Sequence, residues 1–249
     1  MRRVDLNCDM GEGCGNDAEL MKYITSANIA CGYHAGDAET MRRTVRLALE
    51  SSVAIGAHPG YRDRENFGRT SMSLSADEIH QILTDQLAAI KIICDSEGAR
   101  LNHVKPHGAL YNQAAKDRDL AASIVDAVVA FDPSLIFYGL AGSHLISEAK
   151  SAGLMTASEV FADRTYQADG TLTPRTEPNA LIADTVEAVN QILQMLESGI
   201  VSTVNGEAVP IDADTICVHG DGPHAVDFVV GLRNALETRG ITISALRNY

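Results

Sequence analysis

Eight histidines punctuate this 249-residue chain. Four of them, His34, His58, His107 and His219, each fall at or just beyond the end of a short β-rich run. Imidazole titrates near neutrality, so histidines in that position suit proton transfer or metal ligation. Any one alone would read as a loop residue bonding its neighbours, but four in the same place of the repeat point to a shared site. Carboxylates join them. Asp9 and Glu12 lie in Asn7-Cys8-Asp9-Met10-Gly11-Glu12-Gly13, where a strand runs into a glycine-rich turn. Asp9 either caps that turn or acts as base or cation ligand. Asp9, His34, His107 and His219 are thus the candidate catalytic residues. Asp9, His34 and His58 would make the carboxylate-plus-imidazole set of a hydrolytic metal site, although no HxxxH or HExxH pairing marks one. The remaining histidines, His80, His103, His144 and His224, fall on helices or strand starts and read as ordinary polar residues.

Cations lie near the same strand ends. The segment from His58 to Arg69 is a long polar loop carrying Arg62, Arg64 and Arg69, and a loop of this length after a strand is a lid or binding loop. Guanidinium groups hold carboxylates and phosphates by paired hydrogen bonds. Arg164 and Arg175 flank an Asp169-Gly170 turn, and Lys105 precedes Pro106-His107-Gly108. Glu12, Arg62, Arg69, Lys105 and Arg164 are therefore the candidate substrate- and phosphate-binding residues. No GxxxxGK[ST] and no GxGxxG occurs, so a nucleotide would bind without either phosphate-binding loop.

The elements that must position these groups alternate. Strand-like runs cover Val4–Cys8, Ala27–Cys31, Val53–Ala57, Leu101–Val104, Leu135–Leu140, Met155–Val160, Thr215–Val218 and Ile241–Leu246. Helical patterns lie between them. Ser75-Ala76-Asp77-Glu78 has capping-box spacing ahead of Ile79, Ile82, Leu83, Leu87 and Ile90, and Gly98 supplies a stop. Asp37 is placed to cap one helix, and Asp184 with Glu187 opens another that Gly199 ends. Pro223 opens a last helix through Leu236. Only 201–211 breaks the rhythm, as a hairpin around Asn205-Gly206. Strand–helix alternation means parallel strands with right-handed crossovers. The polar residues discriminate between an open sheet and a barrel: Asp9 and Glu12, His34 and Asp37, His58, Lys105 and His107, Glu159 and Asp163, His219 and Asp221 follow six different strands. An open sheet feeds its site only from strands at the switch point. A barrel feeds one mouth from all of them. The expectation is a single α/β domain over 1–249, a (β/α) barrel of seven or eight mostly parallel strands.

Bulk properties narrow the function. Hydrophobic residues make up 45% and aromatics 5%, without tryptophan, which is the aliphatic filling of a parallel-sheet protein. A net charge of −13 without a basic run repels phosphate backbones and anionic lipid. Neither nucleic acid nor a membrane surface is an expected partner. No apolar run is long enough to span a bilayer, and the start has no signal-peptide pattern. Five cysteines, an odd number without CxxC spacing, read as reduced thiols. The expected compartment is the cytoplasm.

Several long motifs then carry a resemblance. Ser26-Ala27-Asn28-Ile29-Ala30-Cys31-Gly32-Tyr33-His34-Ala35-Gly36-Asp37, Gly56-Ala57-His58-Pro59-Gly60-Tyr61, His103-Val104-Lys105-Pro106-His107-Gly108-Ala109-Leu110-Tyr111-Asn112, Glu159-Val160-Phe161-Ala162-Asp163-Arg164 and Cys217-Val218-His219-Gly220-Asp221 resemble the lactam-utilisation (LamB/YcsF) family. The likeness runs in order from residue 4 to about 243. It departs in the short loop Gly13–Asp17 and in Thr70 after Arg69. The resemblance implies a distorted TIM-like barrel similar to the glycoside hydrolase/polysaccharide deacetylase superfamily. It also implies one subunit of a bacterial ATP-dependent 5-oxoprolinase, hydrolysing 5-oxo-L-proline to L-glutamate. ATP, with Mg2+ as its counter-ion, would be the cosubstrate, B and C subunits the partners, and homo-oligomerisation is left open. Two alternatives stand beside it. One is a stand-alone metal-dependent amide or carbohydrate hydrolase, the other a non-catalytic substrate-binding subunit.

Overall fold

The first strand shows how this sequence builds its core. Val4-Asp5-Leu6-Asn7-Cys8-Asp9-Met10 alternates apolar and polar, and successive side chains of a strand face opposite sides. In the computed structural model, which describes residues 2–218 and 225–247, both sides are covered. Val4, Leu6, Cys8 and Met10 are fully buried, and so are Asp5 and Asn7. The polar set faces the inside of a closed barrel, because Asp5 bonds Tyr138 on a strand that is not its neighbour. The apolar set faces the surrounding helices.

In chain order the elements are β1 (Arg3–Met10), α1 (Asp17–Leu20), β2 (Ser26–Ala30), α2 (Ala38–Glu50), β3 (Ala54–His58), α3 (Ala76–Ser96), β4 (Leu101–Val104), α4 (Gly108–Lys116), α5 (Arg118–Phe131), β5 (Ile136–Leu140) and α6 (His144–Ser151). There follow β6 (Thr156–Phe161), α7 (Thr185–Ser198), β7 (Ile200–Ser202), β8 (Ala208–Pro210), β9 (Thr215–Val218), α8 (Ala225–Thr238) and β10 (Thr242–Ile243). Strands pair in parallel in the order β1-β2-β3-β4-β5-β6-β9, and β9 returns to β1 through Asp5↔Thr215 and Cys8↔Val218. Barrel closure is complete.

The run Ile241–Leu246 does not become an eighth stave. Only Thr242 and Ile243 pair, against Arg3 and Val4, because β1 is taken up by β2 and β9 from Asp5 onward. Beyond them Leu246 packs against Ile136, Tyr138 and Ala157. Local signals are where the spacing puts them. Ser75 and Glu78 form a capping box, Asp37 accepts from Thr40 N and Asp184 from Glu187 N. Gly199 ends α7 with φ 66. The Asn205-Gly206 turn joins antiparallel β7 and β8. Pro223, His224 and the Cys217–Asp221 motif beyond Val218 lie outside the described residues.

A polar layer fills the barrel floor. Asp5 accepts hydrogen bonds from Thr25 (2.6 Å), Ser26 (2.7 Å), Tyr138 (3.0 Å) and Thr215 (2.6 Å). Burial raises its pKa, and those four hydroxyls oppose the shift. Above it Asn7 donates to Thr215, Asn28 donates to Asn7, and His103 Nε2 meets Asn28 Oδ1 at 2.8 Å. His103 is therefore not an ordinary strand-start residue. It is fully buried inside the barrel and stacked on Tyr138 at 4.2 Å between ring centroids. Gly56 makes room for it: a Cβ there would stand 2.1 Å from His103 Nε2.

Candidate active site

The next inward positions up the strands carry charge. β1 presents Asp9, β3 ends on His58, β6 carries Glu159, and Lys105 follows β4. Lys105 is buried at 3% exposure, its Nζ 3.0 Å from Asp9 Oδ1, 2.8 Å from Glu159 Oε1 and 3.2 Å from Cys217 Sγ. Burial alone would discharge the amine. Asp9, Cys217 and Glu159 outweigh burial and hold the pKa well above its usual value. Lys105 is therefore an ammonium clamped between two carboxylates. Tyr111 donates to Glu159 Oε2 at 2.6 Å, and Asn28 donates to Asp9 Oδ1 at 2.8 Å.

Beside this pair lies an imidazole cluster. His34 and His107 stack in parallel at 3.7 Å, and His58 meets both edge-on. His58 Nδ1 donates to Lys105 O at 2.8 Å, and its Nε2 stands 3.0 Å from His107 Nδ1 and 3.3 Å from Asp9 Oδ2. His107 Nε2 donates to Phe67 O at 2.9 Å. Glu12 reaches in from its turn, with Oε1 3.2 Å from His34 Nε2 and 3.4 Å from His107 Nδ1. Burial, followed by the charge of His58, pushes His34 down to about 3 and takes His107 well below its usual range. For His58 burial works in the same direction, but the Asp9 charge and hydrogen bond and the Glu12 charge reverse it, and the net shift is upward. The cluster thus combines neutral imidazoles with one that favours its proton, a set suited to acid–base work.

The loop after β3 forms one wall. Gln86 holds Gly60 by two reciprocal backbone bonds, and Asp63 accepts from Asn66 and Thr70. Phe67 takes φ 57 and Gly68 φ 64, left-handed values costly for phenylalanine. That turn points the Phe67 carbonyl at His107 and sets its ring edge-on to His34 and His107. Arg69 lies over the Phe67 ring, while exposed Arg62 lies over Tyr33 and donates to its hydroxyl.

The structure therefore brings together Asp9, Glu12, His34, His58, Lys105 and His107. Three sequence assignments change. The metal-type grouping is Glu12, His34, His58 and His107, with Asp9 beside it in the ion pair with Lys105. Arg164 does not offer its fork to an anion, because Nε and Nη2 bond the carbonyls of Ala180 and Thr173 and tie down the 163–182 segment. Lys105 is already engaged by Asp9 and Glu159, so it organises carboxylates instead of awaiting an anion. His219 lies outside the described residues. Sequence reasoning places Glu159 at a strand end without assigning it to the site, and gives Tyr111 and Phe67 no role. Glu159 shares the inward parity of Asp9 and Lys105, and following that period of two along each strand would have assigned it to the site. Nothing local marks Phe67.

A closed parallel (β/α) barrel whose C-terminal mouth gathers carboxylates, imidazoles and a buried ammonium belongs to the class of barrels that carry chemistry at that end. Comparison with known proteins is more specific. The LamB/YcsF family model matches residues 4–249, and the chain belongs to that family. A protein of Shouchella clausii, named as the A subunit of 5-oxoprolinase, is 56% identical over 250 residues, covering 98% of this chain and 99% of that one. A protein of the same name from Erwinia tasmaniensis is 53% identical over 243 residues, covering 98% and 99%. The crystal structure of a lactam utilization protein from Thermus thermophilus superposes with a TM-score of 0.91 at 41% identity, covering 98% and 100%. A family 4 carbohydrate esterase from Streptomyces lividans shares the fold, with a TM-score of 0.54 at 12% identity over 98% of this chain and 92% of that one.

Proposed function

We propose that this chain supplies the lactam-opening site of an ATP-dependent 5-oxoprolinase, working with B and C subunits to convert 5-oxo-L-proline to L-glutamate. The observation that carries this reading is the buried Asp9–Lys105–Glu159 cluster set against His34, His58 and His107. The name borne by relatives more than half identical in sequence supports it. A five-membered lactam is a resonance-stabilised amide and a poor electrophile. Transfer of the ATP γ-phosphoryl group to the lactam oxygen makes the ring carbon reactive. Water then adds to that carbon and passes a proton to the site. The C–N bond opens, nitrogen takes up a proton, and phosphate leaves by hydrolysis of the phosphorylated product.

Each group has a part. Asp9, oriented by Lys105 and Asn28, is the general base, with neutral His34 and His107 beside it. His58, which favours its proton, is the acid for the leaving nitrogen. Glu12 orients His34 and His107. Arg69 and Arg62, at the loop wall, hold the substrate carboxylate. Nucleotide and Mg2+ are assigned to the boundary with the partner subunits, since the sequence has no phosphate-binding loop and a phosphorylated lactam must be shielded from bulk water. An ATP-consuming reaction and an odd number of cysteines, five, suit the cytoplasm, and no helix among the described residues is long and apolar enough to cross a membrane.

The test is reconstitution. Glutamate release from 5-oxo-L-proline should require ATP and both partners. Full ATP-dependent turnover by the lone chain would remove the shared site. Hydrolysis of simple amides or acetylated sugars without ATP would instead establish the stand-alone hydrolase, a second reading favoured by the Glu12-His34-His58-His107 grouping.

A further inference from the structure

We infer that Glu12, His34, His58 and His107 form a binding site for one divalent transition-metal cation. The inference stands on these donors alone; with the ion bound, His58 serves as a ligand and not as the acid proposed above.

Hydrogen positions make the first argument. His58 Nδ1 and His107 Nε2 each face a backbone carbonyl, Lys105 O and Phe67 O. A carbonyl only accepts, so each of those nitrogens carries the hydrogen of its ring. In the neutral tautomers the opposite nitrogens, His58 Nε2 and His107 Nδ1, are then bare lone pairs. They stand 3.0 Å apart, with Glu12 Oε1 at 3.9 Å and 3.4 Å respectively and Asp9 Oδ2 3.3 Å from His58 Nε2. Acceptors converging on one point draw a positive charge between them, a proton or a metal ion.

Spacing makes the second. Bonds of the length zinc forms to nitrogen and oxygen put tetrahedral ligand atoms about 3.3 Å from one another. Glu12 Oε1 lies 3.2 Å from His34 Nε2 and 3.4 Å from His107 Nδ1, and donor atoms from all four residues fall within 4.8 Å of one another. Support comes from behind: the two carbonyls fix the His58 and His107 rings in the ligating tautomer, as outer partners of metal-bound histidines do. Three imidazole nitrogens and one carboxylate oxygen suit Zn2+ and its first-row neighbours better than the all-oxygen cations Mg2+ and Ca2+. A cation held there would supply Lewis-acid chemistry beside Asp9.

A proton shared between His58 and His107 would also relieve the clash of lone pairs, and experiment separates the two. The full chain, stripped with a chelator, is titrated with Co2+ and Zn2+ by calorimetry and visible absorption. Expected are one ion per chain, a cobalt d–d spectrum of low-symmetry nitrogen–oxygen ligation, and loss of affinity of about 100-fold in His107→Ala. Glu12→Gln, nearly isosteric, repeats the test should His107→Ala not fold. His144→Ala, at an exposed position, should bind like the parent. No heat and no cobalt band in the parent, or binding undisturbed in a folded His107→Ala or Glu12→Gln, would overturn the site.

Discussion

The barrel holds two buried polar layers, a few residues apart along the same strands, built on opposite terms. At the floor, Asp5 is met by four hydroxyl donors from β2, β5, β9 and the turn before β2. Asn7, Asn28 and His103 pass further hydrogen bonds across the interior. At the mouth, one ammonium serves two carboxylates, His58 Nε2 and His107 Nδ1 meet at 3.0 Å among carboxylate oxygens, and buried His34 Nδ1 has no hydrogen-bond partner. A satisfied network rigidifies a fold, and an unsatisfied one has a free-energy cost that only a ligand recovers. The floor holds the strands in register. The mouth is poised for something that arrives.

That contrast can be broken by exchanging one group in each layer. Asp9→Asn keeps size and removes charge and basicity. It should lower partner-dependent glutamate release by about 10²–10⁴-fold, with little change in melting temperature because Lys105 keeps Glu159. Normal turnover would remove Asp9 as base. Asp5→Asn should do the reverse, costing about 1–3 kcal/mol in urea unfolding because an amide cannot accept from all four hydroxyls. Turnover of the folded fraction should persist.

Smaller changes sharpen the distinction. A Cβ on Gly68 would stand 2.8 Å from His34 Cβ and 2.9 Å from His107 Cδ2, at φ +64. Gly68→Ala should cost about 1–2 kcal/mol and weaken turnover, displacing the mouth while His103 and Asp5 stay put. Such a split is readable from histidine NMR shifts. A last effect, at the floor alone, concerns acid. Burial, then the charges of Lys105 and His58, pushes His103 down from 6.5 to about 3. Between those values the unfolded chain binds a proton that the folded one excludes, so stability falls as pH drops through that window. One group contributes a slope of up to about 1.4 kcal/mol per pH unit. Denaturant unfolding at pH 6.5 and 4.5 should therefore show a shallower loss in His103→Gln than in the parent.

The same contrast explains what was legible in sequence. Caps such as Ser75 with Glu78 and stops such as Gly199 are local chemistry, readable within four residues. The barrel was legible because strand polarity is shared: every parallel strand delivers its last residue to one end, so Asp9, His58 and Lys105 betray the mouth. The floor was hidden by the same reasoning, which stopped at the strand ends, read His103 as an ordinary polar residue and gave Asp5 no reading. Arg164 looked like an anion anchor because only tertiary structure places the Thr173 and Ala180 carbonyls against its fork. How the imidazoles meet depends on the left-handed Phe67–Gly68 turn, and phenylalanine carries no signal for it.

Closure of the barrel has a kinetic consequence. β1 is flanked by β2 and by β9, whose residues are separated from it by some two hundred positions of chain. Pairs so distant in sequence form late, after the entropy of a very long loop has been lost. Until Thr215–Val218 arrives, Asp5 lacks Thr215 and Lys105 lacks Cys217. Before β9 is made, any sheet of β1 through β6 would have two bare edges, the state most exposed to wrong pairing. Stave and site are completed in one event, so a fragment ending before β9 will be neither closed nor partly active.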